Sequence, residues 1–172
     1  LLTCFASHQS SQQLIDSPAP FQLPDIQDSK PVTRHIHRIF FEEATALSKM
    51  AISKPDESTD EILREAEEKY QKSISLMPND FKSFANWAST LFLKAEQKFK
   101  TGNCEMSEVE RLYQTAAEKF AQALTIAPNN CKIWIQLANC LQSHAKTKQD
   151  IHKTLKLLEE AHKKFQKAFE IS

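Results

Sequence analysis

From Thr33 onward the apolar positions recur every three or four residues, the period of an amphipathic helix. Ile36, Phe40, Ala44 and Leu47 mark a first helix, which ends before Pro55. Ser58 or Thr59 caps a second, with Glu61 and nearby acids in its first turn, where carboxylates meet the positive end of the helix dipole. Its stripe is Ile62, Ala66, Tyr70, Ile74 and Leu76, closed by Pro78. Asp80 caps a third helix carrying Phe84, Trp87, Ala88, Leu91 and Ala95, broken at Thr101-Gly102-Asn103. Ser107 caps a fourth with Val109, Leu112, Ala116, Phe120, Ala123 and Ile126, closed by Pro128. A fifth carries Trp134, Leu137, Ala138 and Leu141, and the polar stretch 144–150 marks a turn. A sixth runs almost to the end with Leu155, Leu158, Ala161, Phe165, Ala168 and Phe169. Residues 1–32 lack this rhythm. They hold Pro18, Pro20, Pro24 and Pro31 among Ser and Gln, with small apolar clusters at Leu14-Ile15 and at Phe21 and Leu23. We read them as a flexible or extended arm without a core of its own, followed by a helical domain over 33–172.

The pattern also repeats. AEEKYQKSISLMPND from Ala66, AAEKFAQALTIAPNN from Ala116 and AHKKFQKAFEIS from Ala161 share a small first residue, Lys at +3, an aromatic at +4, Ser or Ala at +7 and a large apolar residue at +8. The helices before them share Phe40-x3-Ala44-x2-Leu47, Phe84-x3-Ala88-x2-Leu91 and Trp134-x3-Ala138-x2-Leu141. Spacings of 50 and 45 residues between copies mean helical hairpins that bury their faces only by stacking. The expected fold is all-α: three antiparallel hairpins, about 34–78, 80–128 and 130–172, in a right-handed stack. The alanines at 44, 88 and 138 sit where paired helices approach closely. The aromatics at 70, 120 and 165 fill the space between one hairpin and the next.

Composition narrows the chemistry. The 172 residues include one Gly, Gly102, which excludes a Gly-rich phosphate loop or dinucleotide fingerprint and disfavours a sheet of tight turns. Lys plus Arg and Asp plus Glu are 22 each, so no broad basic surface offers itself to nucleic acid. The Lys-rich stretch 146–167 interleaves acids and an apolar stripe, as an amphipathic helix does. No run reaches the roughly 18 apolar residues of a membrane helix. Cys4, Cys104, Cys131 and Cys140 form no CxxC pair and read as reduced packing thiols rather than metal ligands. Leu1 in place of Met marks a piece of a longer chain or a processed product. These features place the chain inside the cell, first in the cytoplasm, with the nucleus or an organelle surface as the other compartments.

Catalysis finds little support. His35 and His37 are two apart and do not share a helix face; His144 and His152 flank a turn; His162 sits beside Lys163 and Lys164. Every His reads as a surface or turn residue. There is no HExxH and no GxSxG. Glu65, Glu67 and Glu68 beside Lys69 and Lys72, and Glu159 and Glu160 beside Lys163 and Lys164, read as solvated helix faces. We expect no enzyme activity, no metal and no cofactor.

The repeat resembles the tetratricopeptide family: Phe84 or Trp134 early in the first helix, Ala88 or Ala138 and Ala66 or Ala116 at the crossings, Tyr70 or Phe120, and a closing Pro78 or Pro128. The likeness covers about 34–172. It departs in length, the usual repeat being about 34 residues, so both helices of each hairpin should be longer by one or two turns, with added loops on one edge. Plant mitochondrial import receptors of the outer membrane have similar stretched repeats. The third copy ends without Pro or a capping helix, although terminal repeats usually need a polar cap. The resemblance implies either a longer array or self-association through the last helix.

It also implies that the first helices line an inner groove. By register the groove set is Arg38, Phe41, Glu42 and Thr45, then Lys82, Ala85, Asn86 and Ser89, then Lys132, Ile135, Gln136 and Asn139. Relatives that grip a chaperone's C-terminal carboxylate use a five-residue clamp. Asn86 and Lys132 match it, whereas Phe41 and Thr45 replace its first Lys and Asn, and Gln136 its Arg. Such a grip is therefore not expected. Asn86 and Asn139 have a blander reading, as satisfiers of polar groups between helices. The function implied is binding of a peptide or partner protein on the concave face, as an adaptor or scaffold. The alternative is a structural or oligomerising segment whose apolar end at Phe165 and Phe169 meets another chain.

Overall fold

The computed structural model describes residues 30–53, 58–102 and 104–172. The arm expected over 1–32 lies outside them but for its last three residues, which are already helical. Six helices form, with no strand among the described residues: α1 (Lys30–Ser53), α2 (Thr59–Leu76), α3 (Phe81–Thr101), α4 (Met106–Ile126), α5 (Cys131–Lys146) and α6 (Ile151–Ile171). Pro31 falls in the first turn of α1, where a missing N–H breaks no helical bond. The helices pair as α1 with α2, α3 with α4 and α5 with α6. The three hairpins stack through α2 on α3 and α4 on α5. Successive first helices α1, α3 and α5 touch, whereas α2, α4 and α6 do not touch one another. The layer of first helices is thus the tighter one, and the stack is concave on that side.

One tripeptide makes each joint between hairpins. Pro78-Asn79-Asp80 and Pro128-Asn129-Asn130 follow the ends of α2 and α4. The amides of Asp80 and Asn130 turn back to Met77 O at 3.1 Å and Ala127 O at 3.2 Å. Their side chains then cap the next helix: Asp80 accepts from the amides of Lys82 and Ser83, and Asn130 from that of Ile133. At the opposite edge α3 ends as expected. Gly102 takes φ 65°, a left-handed C-cap, and donates to Lys98 O at 3.1 Å. The expected cap of α4 is displaced. The helix opens at Glu105, and Ser107, already inside it, donates to the Glu105 carboxylate at 3.2 Å. Asp150 caps α6, which the polar pattern of 144–150 did not single out. Only short links join α3 to α4 and α5 to α6, so the extra length of these repeats lies in the helices.

The core runs through the middle of the stack. Ala44, Ala88 and Ala138 are fully buried, as close helix approach requires. Tyr70 stacks on Trp87 across the first hairpin junction at 6.5 Å, and Phe120 is fully buried at the second. Lys98 gathers Asp60 of α2 at 2.9 Å and Glu108 of α4 at 3.4 Å, while Lys94 reaches Asp60 at 3.3 Å. Burial works against ionising Asp60, but Lys98 and Lys94 outweigh it and hold its pKa below the ordinary value.

The ends of the stack differ from their stripes. In α1 the buried ridge is Ala44, Ser48 and Ala51, and Ile36 stays exposed. In α6 only Ala161 and Ala168 are buried, while Leu155, Leu158 and Phe169 stay exposed. Each end helix is covered on one flank, so half of its apolar positions have nothing to pack against.

Two histidines also depart from expectation. His37 lies half-buried against Asp80, Nε2 to Oδ2 3.2 Å. His144 is buried, stacked on Tyr113 at 5.6 Å, and its Nε2 finds no hydrogen-bond partner among the described residues. Burial, aided by Lys148, lowers its pKa below 6.5 against the pull of Glu110. The unfolded chain therefore binds the proton more readily, and stability present above pH 6.5 is lost as pH falls through the folded-state value. We expect urea midpoints to drop between pH 7.5 and 5.5, and His144→Phe, which keeps the stack on Tyr113, to flatten that drop. An equal slope in both proteins would assign the dependence to other groups.

Candidate functional site

The concave face presents two adjoining clefts. The first, of about 450 Å³, opens between α1 and α3. Thr45, Ser48, Lys49 and Ile52 come from α1, Asn86, Ser89, Thr90 and Leu93 from α3, and Tyr70 from α2 forms its floor. Hydroxyls dominate its polar lining, and several are turned inward. Thr45 Oγ1 donates to Phe41 O at 2.8 Å, Ser48 Oγ to Ala44 O at 2.8 Å, Ser89 Oγ to Ala85 O at 2.9 Å and Thr90 Oγ1 to Asn86 O at 2.9 Å. With their protons returned to the helix, these side chains offer the cleft carbon-bound hydrogens, methyls among them at Thr45 and Thr90, and oxygen lone pairs. Among the described residues, Lys49 is the one charged residue in the lining.

A polar ladder ties the first helices together below this surface. Asn86 Nδ2 donates to Thr45 Oγ1 at 3.4 Å, and Thr45 Oγ1 lies 3.4 Å from Tyr70 Oη. Gln136 Nε2 donates to Ser89 Oγ at 3.1 Å. The blander expectation for Asn86 is thus met in part: it bonds between helices while lining the cleft. Four of the expected groove residues, Thr45, Asn86, Ser89 and Gln136, join in these contacts.

The second cleft, of about 580 Å³, lies at the N-terminal ends of α1 and α3 and is lined by Arg34, His35, Arg38, Phe41, Lys82 and Asp80 among others. Phe41 stacks with His37 at 6.4 Å, and Arg38 pairs loosely with Glu42 at 3.8 Å. Lys132, Ile135 and Asn139 are exposed on α5, outside both clefts. Ser48, Lys49, Ile52, Thr90 and Leu93 were missed. Carrying the register one or two turns past Thr45 and Ser89 reaches most of them.

Behind the groove, Tyr113 Oη donates to Glu96 Oε1 at 2.7 Å. Burial opposes ionising Glu96, but hydrogen bonds from Tyr113 and Ser143 with Lys100 and Lys146 nearby pull its pKa below the ordinary value. Cys140 is buried, and burial with Glu96 close by pushes its thiol up to about 12, which leaves it an inert packing group. Cys4 lies outside the described residues. Among those residues no cluster of three or more His, Cys, Asp or Glu is placed to hold a metal, and no helix is long and apolar enough to cross a membrane.

Three antiparallel hairpins stacked around a concave face make a tetratricopeptide-like helical fold. The family model for the plant-specific mitochondrial import receptor subunit TOM20 matches residues 57–172. The match covers well over half of the chain, from just before α2 to the end of α6, and the chain belongs to that family. No curated protein matches it. The family corrects the cytoplasmic expectation. A mitochondrial import receptor belongs to the organelle, and of the compartments read from the sequence the organelle surface is the one that fits.

Proposed function

We propose that the domain binds a segment of a protein destined for import, gripping it in the cleft between α1 and α3. The observation that carries this is the lining of that cleft among the described residues: an apolar floor and wall from Tyr70, Ile52 and Leu93, a rim of hydroxyls and Asn86, and a single charge. Mitochondrial targeting segments are amphipathic helices rich in Arg and Ser and poor in acids. A lining whose described residues include Lys49 and no acid does not read the cationic face of such a helix. It reads the apolar face, laid in as i, i+3, i+4 anchors, and leaves the arginines in water. Binding is the whole of its activity, without catalysis, metal or cofactor. Arg38, Phe41, Lys82, Lys132, Ile135 and Asn139 extend the contact along the concave face beyond the cleft.

The test is fluorescence anisotropy with a labelled amphipathic targeting-type peptide and a scrambled peptide of equal charge. The amphipathic peptide should bind at least about tenfold more tightly, about 1.4 kcal/mol. Affinity should change little with salt, since apolar contact carries it. Leu93→Arg, at an exposed position in the cleft wall, should weaken binding by about tenfold or more while the circular-dichroism melt stays put. Equal binding of both peptides, or full affinity in Leu93→Arg, would move recognition off this cleft.

A further inference from the structure

Lys49 stands in the middle of the α1 wall of the cleft, with Thr45 and Ser48 before it and Ile52 and Ser53 after it. In the repeat register set by Phe40, Phe84 and Trp134, its counterparts are Leu93 on α3 and Ser143 on α5. Leu93, 42% exposed, offers the cleft apolar surface from the facing helix. A leucine at position 49 would extend that surface, yet α1 carries an ammonium there. Among the described residues no carboxylate pairs with it. The neighbouring acids of α1 are engaged elsewhere: Glu42 lies 3.8 Å from Arg38, and Glu43 2.7 Å from Lys69. Lys49 therefore meets a bound segment as an exposed charge with no acid beside it.

We propose that Lys49 filters the segments this cleft accepts. It admits a helix whose cations are gathered on the face away from its apolar anchors, and turns back a segment of equal charge whose cations fall among them. The inference rests on the receptor reading of the cleft. Anchors at i, i+4 and i+7 span about 10 Å of helix, and the wall from Thr45 to Ser53 about 12 Å, so the middle anchor lies beside Lys49. The aliphatic stem of a lysine lies along such an anchor while its ammonium stays at the rim. An arginine next to the anchor then comes within the ~8 Å over which charges still act on one another in physiological salt. It does so against the low-dielectric wall of the cleft, where repulsion is strongest. An arginine on the opposite face stands a helix diameter further off, about 10 Å, and is screened.

Apolar contact by itself discriminates poorly, because a greasy wall takes any greasy segment. Leu93, Ile52 and Tyr70 supply affinity. Lys49 supplies selection, by penalising the wrong arrangement of charges rather than by improving the right one. Its mark is an inverted salt response. The amphipathic peptide keeps its arginines in water and changes little with salt. A peptide with arginines among its apolar residues binds more tightly as salt rises, since salt screens the repulsion. A residue acting through shape alone gives no such response.

Anisotropy with the amphipathic peptide and the scrambled peptide of equal charge, at about 20 and about 300 mM salt, tests it on the whole chain and its variants. Lys49→Glu should tighten the scrambled peptide about tenfold and the amphipathic one less than about threefold, so that their ratio falls toward one. Lys49→Met, which keeps the stem and removes the charge, should fall between. Lys49→Arg should keep the parent ratio. Lys156→Glu, exposed on α6, changes the net charge equally and should behave as the parent chain. The circular-dichroism melts of all four should match the parent. Rising salt should strengthen the scrambled peptide on the parent chain and weaken it on Lys49→Glu. A parent chain that prefers the amphipathic peptide, with the same ratio in Lys49→Glu, overturns the filter and leaves the receptor reading standing. Equal tightening of both peptides overturns it in favour of a general surface charge. A parent chain that binds both peptides equally overturns the receptor reading, and the filter with it.

Discussion

Phe120→Ala should be the most damaging single truncation in the stack. Phe120 is fully buried on α4, at the repeat position that fills the gap between one hairpin and the next. Removing its ring forfeits the transfer energy of the buried atoms and leaves a cavity that rigid helices cannot close. The cost is about 3–5 kcal/mol. For a domain of this size that lowers the melting temperature by on the order of 10 °C. Because the second and third hairpins meet there, the melt should also broaden or split as the last hairpin uncouples from the first two. Ile135→Ala, on the exposed concave side of α5, is the control and should melt with the parent chain. A Phe120→Ala protein that melts within a degree or two of the parent would mean that the hairpins do not depend on this contact.

Ala88→Trp should rival it through the opposite error. Ala88 has no exposed surface and belongs to the same buried core cluster as Tyr70 of α2, Leu91 of its own helix and Ala116 of α4. A methyl there sets the approach of α3 to its neighbours. Extra volume in a packed core costs roughly 1–3 kcal/mol for a few methylenes, and an indole exceeds that range. The expected result is a middle hairpin that no longer closes, seen as lost helical signal at 25 °C or a melt lowered as far as that of Phe120→Ala. Ala88→Ser, nearly the same size, should cost far less. A tryptophan accepted without loss would mean that the register of the repeat is wrong.

Much of the fold was legible because it was written three times. Ala44, Ala88 and Ala138, the aromatics at 70 and 120, and the Pro-Asn joints recur at matched positions, and a repeated residue points to a repeated contact. What escaped the sequence depended on neighbours rather than on a helix's own pattern. The stripes of α1 and α6 look like those of α3 and α4, yet Ile36 of α1 and Leu155, Leu158 and Phe169 of α6 are exposed, because among the described residues one flank has no cover. His144 looked like a turn residue beside polar neighbours. It is buried because Tyr113, 31 positions earlier in the chain, offers a ring to stack on. The start of α4 at Glu105 rather than Ser107 reflects two polar residues, one on either side of Met106, that compete for one cap. In the groove, the register found Thr45, Asn86, Ser89 and Gln136 but stopped short of Ser48, Ile52 and Leu93, because it was read only over the N-terminal half of each first helix.

The joints at Pro78 and Pro128 work as the spine of a book. Each stops one helix and starts the next within three residues, so the distance between neighbouring pages is fixed there. The links from α3 to α4 and from α5 to α6, at the opposite edge, hold no Pro, and those hairpins can lengthen there by whole turns. Added turns make the pages taller without changing how the book is bound: the groove grows deeper while its curvature stays the same. A receptor built this way can adjust how long a segment it holds independently of how tightly its walls close around it.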